Sequence, residues 1–334
     1  QEEMLNPPVM GWYPLRQAIA SYLNISRGLS CSAEQVLITS GYSGSLRLIL
    51  DTLASRSDKV LFEDPGYFMG QQLLKRIVPN LHTVPVDRAG IDTDYLLRHH
   101  ADARFAIVTP SHQSPLAVTL SLPRKQQLLD WATRNDAWII EDDYDGEFHY
   151  TRKVLPSLKS LDRHDRVIFM GTFSKTVMPS LRLGYVVMPT STVPAFTDCA
   201  DIVASGQPVL TQKILTAFIN DGHFFRHLKK MRALYQQRRD WMIAALQEVY
   251  GDRFFTEQND GGMHIVAFLT AGNNDREIAR CWQEQQLQVN ALSEWYRGSG
   301  KRYGLVMGYN NVRSWDEAVA LISRPRAQTL ELLK

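Results

Sequence analysis

The sequence predicts an α/β fold: a mostly parallel sheet covered on both faces, followed by a smaller α+β unit. Three observations carry this. Short, nearly continuous apolar runs recur, each broken by glycine, proline or acids, as strands buried on both faces are. Helical patterns lie between several of them. Polar residues collect where the runs end, at the strand rim where open α/β sheets bind ligands.

The elements follow in order. "YPLRQAIASYL" places Leu15, Ile19, Tyr22 and Leu23 at helical spacing. "VLITSG" is a strand, and "SGSLRLILDTLA" a helix with Ser43 or Ser45 as cap. "KVLFEDPGY", "RFAIVTPSHQSP", "AWIIEDDYDGEF", "RVIFMGTFSK" and "LRLGYVVMP" are strands, and "LPRKQQLLDWATRN" is a helix between two of them. From about residue 206 long helical patterns take over, among them "FFRHLKKMRALYQQRRDWMIAALQEVYG", which reads as a link between two units. "HIVAFL" and "YGLVMGYNN" are strands of the smaller unit, with helices at "DREIARCWQEQQ" and "SWDEAVALIS".

Composition bounds the function. With 334 residues, 44% apolar and 22% charged, the chain is globular, and a large domain with a smaller one suits its length. A net charge of +2 predicts no nucleic-acid binding by this piece. Cys31, Cys199 and Cys281 are odd in number and widely spaced, as reduced thiols in a cytosolic setting are. No apolar stretch nears the ~20 residues of a membrane helix. Nothing suggests export. The chain begins at Gln1 without a methionine, so an unseen beginning is expected.

The rim residues suggest one chemistry. In "GTFSKTVMPSLRLGY", Lys175 follows an apolar run and has hydroxyls beside it and Arg182 seven residues on. Alone, it reads as a solvated lysine. In "EDDYDGEF", a buried carboxylate that stays ionised wants a cation, and the protonated pyridine nitrogen of pyridoxal phosphate is one. A tyrosine nearby would bond its phenolic oxygen, and Lys175 would form an imine with its aldehyde. "TSGYSGSLR" sets a turn at a helix start, which favours a phosphate; Thr172, Ser174 and Arg182 add hydroxyls and a forked charge. Tyr67 in "EDPGY" could stack on the ring or be a surface aromatic. In "TPSHQSP", a hydrogen-bonding role for His112 or Gln113 outweighs a general base, since no partner carboxylate is identified. Dinucleotide, P-loop, metal and serine-nucleophile motifs do not fit.

The ordered set "ITSG", "EDPGY", "TPSHQ-x-P", "EDDYD-x-EF" and "GTFSKT-x-x-PSLRLGY" resembles fold-type I pyridoxal phosphate proteins, and within them the aminotransferase-like domain of MocR/GabR-type bacterial transcription regulators. The resemblance runs from about residue 11 to 190 and more weakly to about 320. It implies a large domain with a mostly parallel seven-stranded sheet (25–224), a small C-terminal α+β domain (225–334), and a segment 1–24 packing on the small domain or a partner. It implies a homodimer. Lys175 would be the internal aldimine lysine, Asp142 the partner of the pyridine nitrogen and Tyr144 that of the phenolic oxygen. Tyr67 would stack on the ring, Tyr42, Ser43, Gly44, Thr172, Ser174 and Arg182 would surround the phosphate, and Gln113 would contact the cofactor. DNA binding would belong to an N-terminal winged helix-turn-helix domain outside these residues.

Departures narrow the effector. Pro115-Leu116-Ala117 replaces the usual P-T-G, Asn6 stands for a tyrosine that reaches the partner's phosphate, and Met69 and Met307 stand where GABA-responsive members carry arginines. Arg297, Arg302 or Arg313 could substitute. The expected function is a sensor of pyridoxal phosphate or an amino compound. A working aminotransferase is the alternative, and a purely structural domain leaves the rim motifs unexplained.

Overall fold

A computed structural model describes residues 5–151, 156–204, 206–259 and 261–334. Eight strands build the larger sheet: β1 (Val36–Thr39), β2 (Val60–Asp64), β3 (Leu81–Asp87), β4 (Gly90–Ile91), β5 (Phe105–Val108), β6 (Trp138–Asp143), β7 (Val167–Thr172) and β8 (Gly184–Val187), in the order β1-β8-β7-β6-β5-β2-β3-β4. From β3 through β2, β5 and β6 to β7 the pairing is parallel. β8 runs antiparallel to β7 and β1. Seven strands thus match the expected sheet, and the two-residue β4 extends its edge antiparallel to β3.

Both faces are covered, which is why the strands read as continuous apolar runs. Leu37, Phe62, Ile107, Ile140, Ile168 and Val186 pack with Leu46 and Ile49 of the helix Tyr42–Leu53, Leu74 of Phe68–Ile77 and Phe196 of Val193–Val203. On the other face Leu61, Ala106, Ile139 and Val167 lie with Leu128 and Trp131 of the helix Leu122–Arg134. Val36, Ile38, Phe169 and Val187 lie with Leu15, Ile19 and Leu23 of the helix Tyr13–Ser26. That last contact corrects one expectation. The stripe at i, i+4 and i+8 over residues 13–26 is buried on the large sheet rather than on the small unit.

Two further expectations change. The helix at 42–53 is capped by neither Ser43 nor Ser45: its N-cap is Gly41, at φ 89, and no side chain caps it. Ser45 lies inside the helix, its hydroxyl 2.6 Å from that of Thr39. The helices Phe68–Ile77 and Thr93–His99 and the strand β3 are additions to the sequence reading. β3 carries the polar His82, Thr83 and Asp87, is largely half-buried or exposed, and contains Pro85, as befits a strand near a sheet edge.

The smaller sheet holds β9 (Phe254–Phe255), β10 (His264–Leu269), β11 (Val289–Ala291) and β12 (Gly304–Gly308), in the antiparallel order β11-β12-β10-β9. The 28-residue helix His223–Tyr250 joins the units. Phe224 and Leu228 at its start belong to the large sheet's core, whereas Met242, Leu246 and Tyr250 belong to the small sheet's, with Trp282 and Ile322.

Candidate functional site

β6 ends in three acids, and strand alternation sends them to different places. Glu141 turns to one face, where the backbone N–H groups of Leu158 and Lys159 donate to it at 2.8 and 2.7 Å. Asp143 turns the same way and meets Arg27 at 2.7 Å and the Ser111 hydroxyl at 2.6 Å. Asp142 turns to the opposite face. It is buried, and among the described residues no hydrogen bond or ion pair satisfies it. Burial, then Asp143, Asp145 and Glu63, push its carboxyl well above the ordinary value, and Lys175 is near enough to oppose them. A buried, unpaired carboxyl in this company takes a proton or a cation from whatever fills the space before it.

Tyr144 follows. Its hydroxyl is buried without a hydrogen-bond partner, although Asp145 and Ser114 lie close. Burial, then Asp145 and Asp142, raise it well above the ordinary phenol value, so it stays a donor. Tyr67, at the start of the helix Phe68–Ile77, is half-buried. Burial raises it too, and it senses both Asp142 and Arg182. Its ring meets Tyr42 edge-on at 5.2 Å and lies 6.5 Å from Trp295 of the small unit.

The residues expected at the phosphate end are brought together by register. Thr39 of β1 and Thr172 of β7 both pair with Gly184 of β8. This brings the start of the helix Tyr42–Leu53 beside the segment that carries Lys175 and Arg182. A Cβ on Gly184 would sit 3.0 Å from the Gly41 Cα, so the two turns touch. Ser45 N–H donates back to Gly41, which leaves the N–H groups of Tyr42, Ser43 and Gly44 without intrahelical acceptors. Ser43, Lys175 and Arg182 are exposed here, and Arg182 is left-handed at φ 50. A Cβ on Gly44 would lie 2.2 Å from the Ser40 hydroxyl, an exposed side-chain end that can rotate away. Thr172 and Ser174 are half-buried at the same rim; the Thr172 hydroxyl accepts from the Ser174 N–H at 3.2 Å.

Gln113 has a different use from the one expected. Its amide nitrogen lies 3.1 Å from Glu63, 2.7 Å from the Pro65 carbonyl and 2.9 Å from that of Ser114, and its oxygen accepts from the Leu116 N–H. It ties the "TPSHQ" loop to β2 and leaves no donor for a cofactor. Glu63, also held by Thr109, is pushed up to about 7, burial being the main cause. His112 does have a carboxylate, Asp145, at 3.0 Å.

Arg27 and Asp145 escaped the sequence reading, the first lying more than 100 positions from its partner and the second visible only as the last acid of "DYD". Arg27 also reaches Ser111 at 2.8 Å, the Gly146 carbonyl at 3.3 Å and His149 Nε2 at 3.1 Å. Arginine only donates, so that nitrogen accepts. Burial, then His112 and Arg27, hold His149 neutral, down to about 2.

Of the arginines that could take an anionic effector, Arg302 is committed to Glu257 at 2.9 Å. Arg313 is exposed ahead of the helix Trp315–Ser323. Arg297 sits by the site: its backbone N–H donates to Asp64 at 2.7 Å, and its Nε to Gln71, four residues past Tyr67. Met69 is exposed, while Met307 lies in the small unit's core. Its neighbour Val306 faces the other way and packs with Leu116.

This fold and rim define an aminotransferase-like unit. The chain belongs to the aminotransferase class I and II family, whose model matches residues 2–298. It is 34% identical over 304 residues to the probable rhizopine catabolism regulatory protein MocR of Rhizobium meliloti, covering 91% of this chain and 61% of that protein. It is 33% identical over 308 residues to the HTH-type pyridoxine biosynthesis transcriptional regulator PdxR of Corynebacterium glutamicum, covering 91% and 65%. The chain thus spans about two thirds or less of these regulators' lengths. Among solved structures it matches LysN, the α-aminoadipate aminotransferase of Thermus thermophilus, complexed with N-(5'-phosphopyridoxyl)-L-leucine. The TM-score is 0.87 and the identity 25%, over 98% of this chain and 83% of that one.

The cofactor is pyridoxal 5'-phosphate, and the residues present fit it. The unpartnered Asp142 suits a protonated ring nitrogen, the orphaned Tyr144 hydroxyl a phenolic oxygen, and the uncapped helix start with Arg182 a phosphate. No helix among the described residues is long and apolar enough to cross a membrane.

Proposed function

We propose that this chain is the cofactor-binding effector and dimerisation part of a bacterial MocR/GabR-type transcription regulator working in the cytoplasm. The observation that carries the reading is the division of the three β6 acids, which leaves only Asp142 without a protein partner and close to Lys175. Similarity to the regulators supports the rest.

Bound here, pyridoxal phosphate supplies a carbonyl that condenses with amines and a ring that withdraws electrons. Lys175 provides the attaching amine. Asp142 holds the ring's nitrogen proton, Tyr144 donates to the phenolic oxygen, and Tyr67 stacks on the ring. Tyr42, Ser43, Gly44, Thr172, Ser174 and Arg182 form the phosphate end. The effector is pyridoxal phosphate or an amino compound, and an anionic end of the latter would meet Arg297 beside Trp295 and Tyr67. A ligand that prefers one arrangement of the two units shifts their balance. Contacts such as Asp64 with Arg297 and Gly298, both at 2.7 Å, are where that preference would be felt. A DNA-binding domain elsewhere in the full protein would read the shift.

The test is borohydride reduction of the loaded protein followed by intact mass and peptide mapping. One coenzyme mass on Lys175, lost in Lys175→Ala, is expected. An adduct that survives on another lysine overturns the assignment. Sustained turnover of an amino donor with a keto acid would assign the chain to transamination instead.

A further inference from the structure

We propose that His112 and Asp145 form a positioning pair that keeps the Tyr144 hydroxyl free to donate to the cofactor. This rests on the cofactor reading above. Asp145 is wholly buried and His112 is 1% exposed, and Nδ1 of the ring lies 3.0 Å from Oδ1 of the carboxylate. A carboxylate only accepts, so Nδ1 carries the proton. Asp145 Oδ2 and the Tyr144 hydroxyl are both buried without partners, on adjacent residues just past β6.

The geometry sets up a competition. A carboxylate beside a phenol is its natural acceptor. With Oδ1 drawn to His112, the carboxylate stays close enough to Tyr144 to raise its phenol, yet neither Oδ2 nor the hydroxyl gains a partner. The imidazole is itself wedged in place. A Cβ on Gly261 would lie 2.4 Å from Nε2, and 2.2 Å from the Phe148 carbonyl, so a glycine backbone of the small unit closes the space behind the ring. Tyr150 and Tyr309 hold that segment by donating to the Gly262 carbonyl. The charged and titratable groups around the pair include Asp142 and Asp143 on β6, Arg27 and Arg232, Tyr150 and Tyr309, His149 with its ring 5.0 Å from that of His112, His264 on β10, and Lys175. None of the described hydrogen bonds of these neighbours is to Asp145 Oδ2 or the Tyr144 hydroxyl, so His112 is the group that decides where the Asp145 carboxylate points.

Without His112, Asp145 would swing to Tyr144 and take its proton donor. The cofactor's phenolic oxygen would then keep more negative charge and hold the proton on the neighbouring Lys175 nitrogen more tightly. The pH midpoint of the bound chromophore's visible absorption would rise.

The experiment is a pH titration of that absorption in protein reconstituted with pyridoxal phosphate. The proteins are wild type, His112→Phe, His112→Asn, Tyr144→Phe and the double variant His112→Phe/Tyr144→Phe. His112→Phe is expected to raise the midpoint by about one pH unit, the scale of one differential hydrogen bond. His112→Asn places an amide N–H where Nδ1 was and restores the wild-type midpoint. In the Tyr144→Phe background His112→Phe changes nothing further, because its effect passes through the lost hydroxyl. An unmoved midpoint in His112→Phe overturns the pairing, as does an equal shift with and without Tyr144. If His112→Phe does not fold, a shifted midpoint in His112→Asn overturns it. A wild-type protein that acquires no chromophore fails the cofactor reading itself, a distinct result that removes the inference with it.

Discussion

Replacing Arg27 by methionine tests whether the buried polar layer behind β6 is held as described. The Arg27 and Asp143 side chains are 4% and 2% exposed and 2.7 Å apart. Burial alone would lower the affinity of Arg27 for its proton, but Asp143, then Glu147 and Glu141, raise it above the ordinary value, so the charge is fixed. Arg27→Met keeps much of the side chain's length and removes contacts to Asp143, Ser111, Gly146 and His149. Asp143 would retain only the Ser111 hydroxyl, close to three other acids. Stripping one partner from a buried ion pair costs about 3–5 kcal/mol. At about 2–4 °C per kcal/mol for a unit of this size, the melting point should fall by about 6–20 °C. Differential scanning calorimetry reads it, with near-ultraviolet circular dichroism to assign the transition to the larger unit. Arg27→Met/Asp143→Leu should recover most of the loss, since an apolar pair of similar volume replaces a buried ion pair at little cost. Arg27→Lys should fall between, because an ammonium cannot reproduce the fork. A melting point within about 2 °C of wild type for Arg27→Met, under about 1 kcal/mol, would refute the reasoning.

Asp142→Asn should weaken pyridoxal phosphate binding by about 1–3 kcal/mol, the scale of a lost charged hydrogen bond; absorbance titration checks it, and unchanged affinity overturns the role given to Asp142. Glu63, raised from 4.5 to about 7 by burial, binds its proton more tightly folded than unfolded. Its contribution is therefore fully present below about pH 4.5 and is lost as pH rises to about 7, by up to about 1.4 kcal/mol per unit. Glu63→Gln should flatten that part of a urea-midpoint profile, and an identical profile would contradict the shift. Gly171→Ala would put a Cβ 2.2 Å from the ring of Tyr185, itself 3% exposed. A loss of about 1–3 kcal/mol is expected from overpacking, and Tyr185→Leu in the same chain should relieve it.

What the sequence made legible follows from the range of the forces involved. The strands that carry the site were readable because burial on both faces writes itself as a continuous run, as in Val36–Thr39 and Phe105–Val108. Lys175, Asp142 and Tyr144 could be singled out as candidates because the expected chemistry asks for fixed residue types at the ends of such strands. Ser43 and Ser45 misled as caps for a local reason: Gly41, at φ 89, already turns the chain, and an uncapped helix start is what a bound anion needs. Gln113 misled for a non-local one. Its amide is claimed by Glu63 and the carbonyls of Pro65 and Ser114, contacts that exist only once β2 and β5 lie side by side.

The same distinction explains why the residues alone mark "EDD" as a site, while the choice of Asp142 within it comes from the resemblance. Three consecutive acids look alike in a string. Period-two alternation separates them into two on one face and one on the other, yet it does not say which face holds the counter-charges. Arg27 supplies that answer from more than 100 positions away, at the end of a helix whose own reading pointed to a different packing site. Once Arg27 and Ser111 engage Asp143, and the Leu158 and Lys159 N–H groups engage Glu141, Asp142 alone is left facing Lys175. If Asp142 holds the cofactor nitrogen as proposed, that choice depends on contacts the cofactor would never touch. Loss of Arg27 should blur the distinction between Asp142 and Asp143 before it disturbs Lys175.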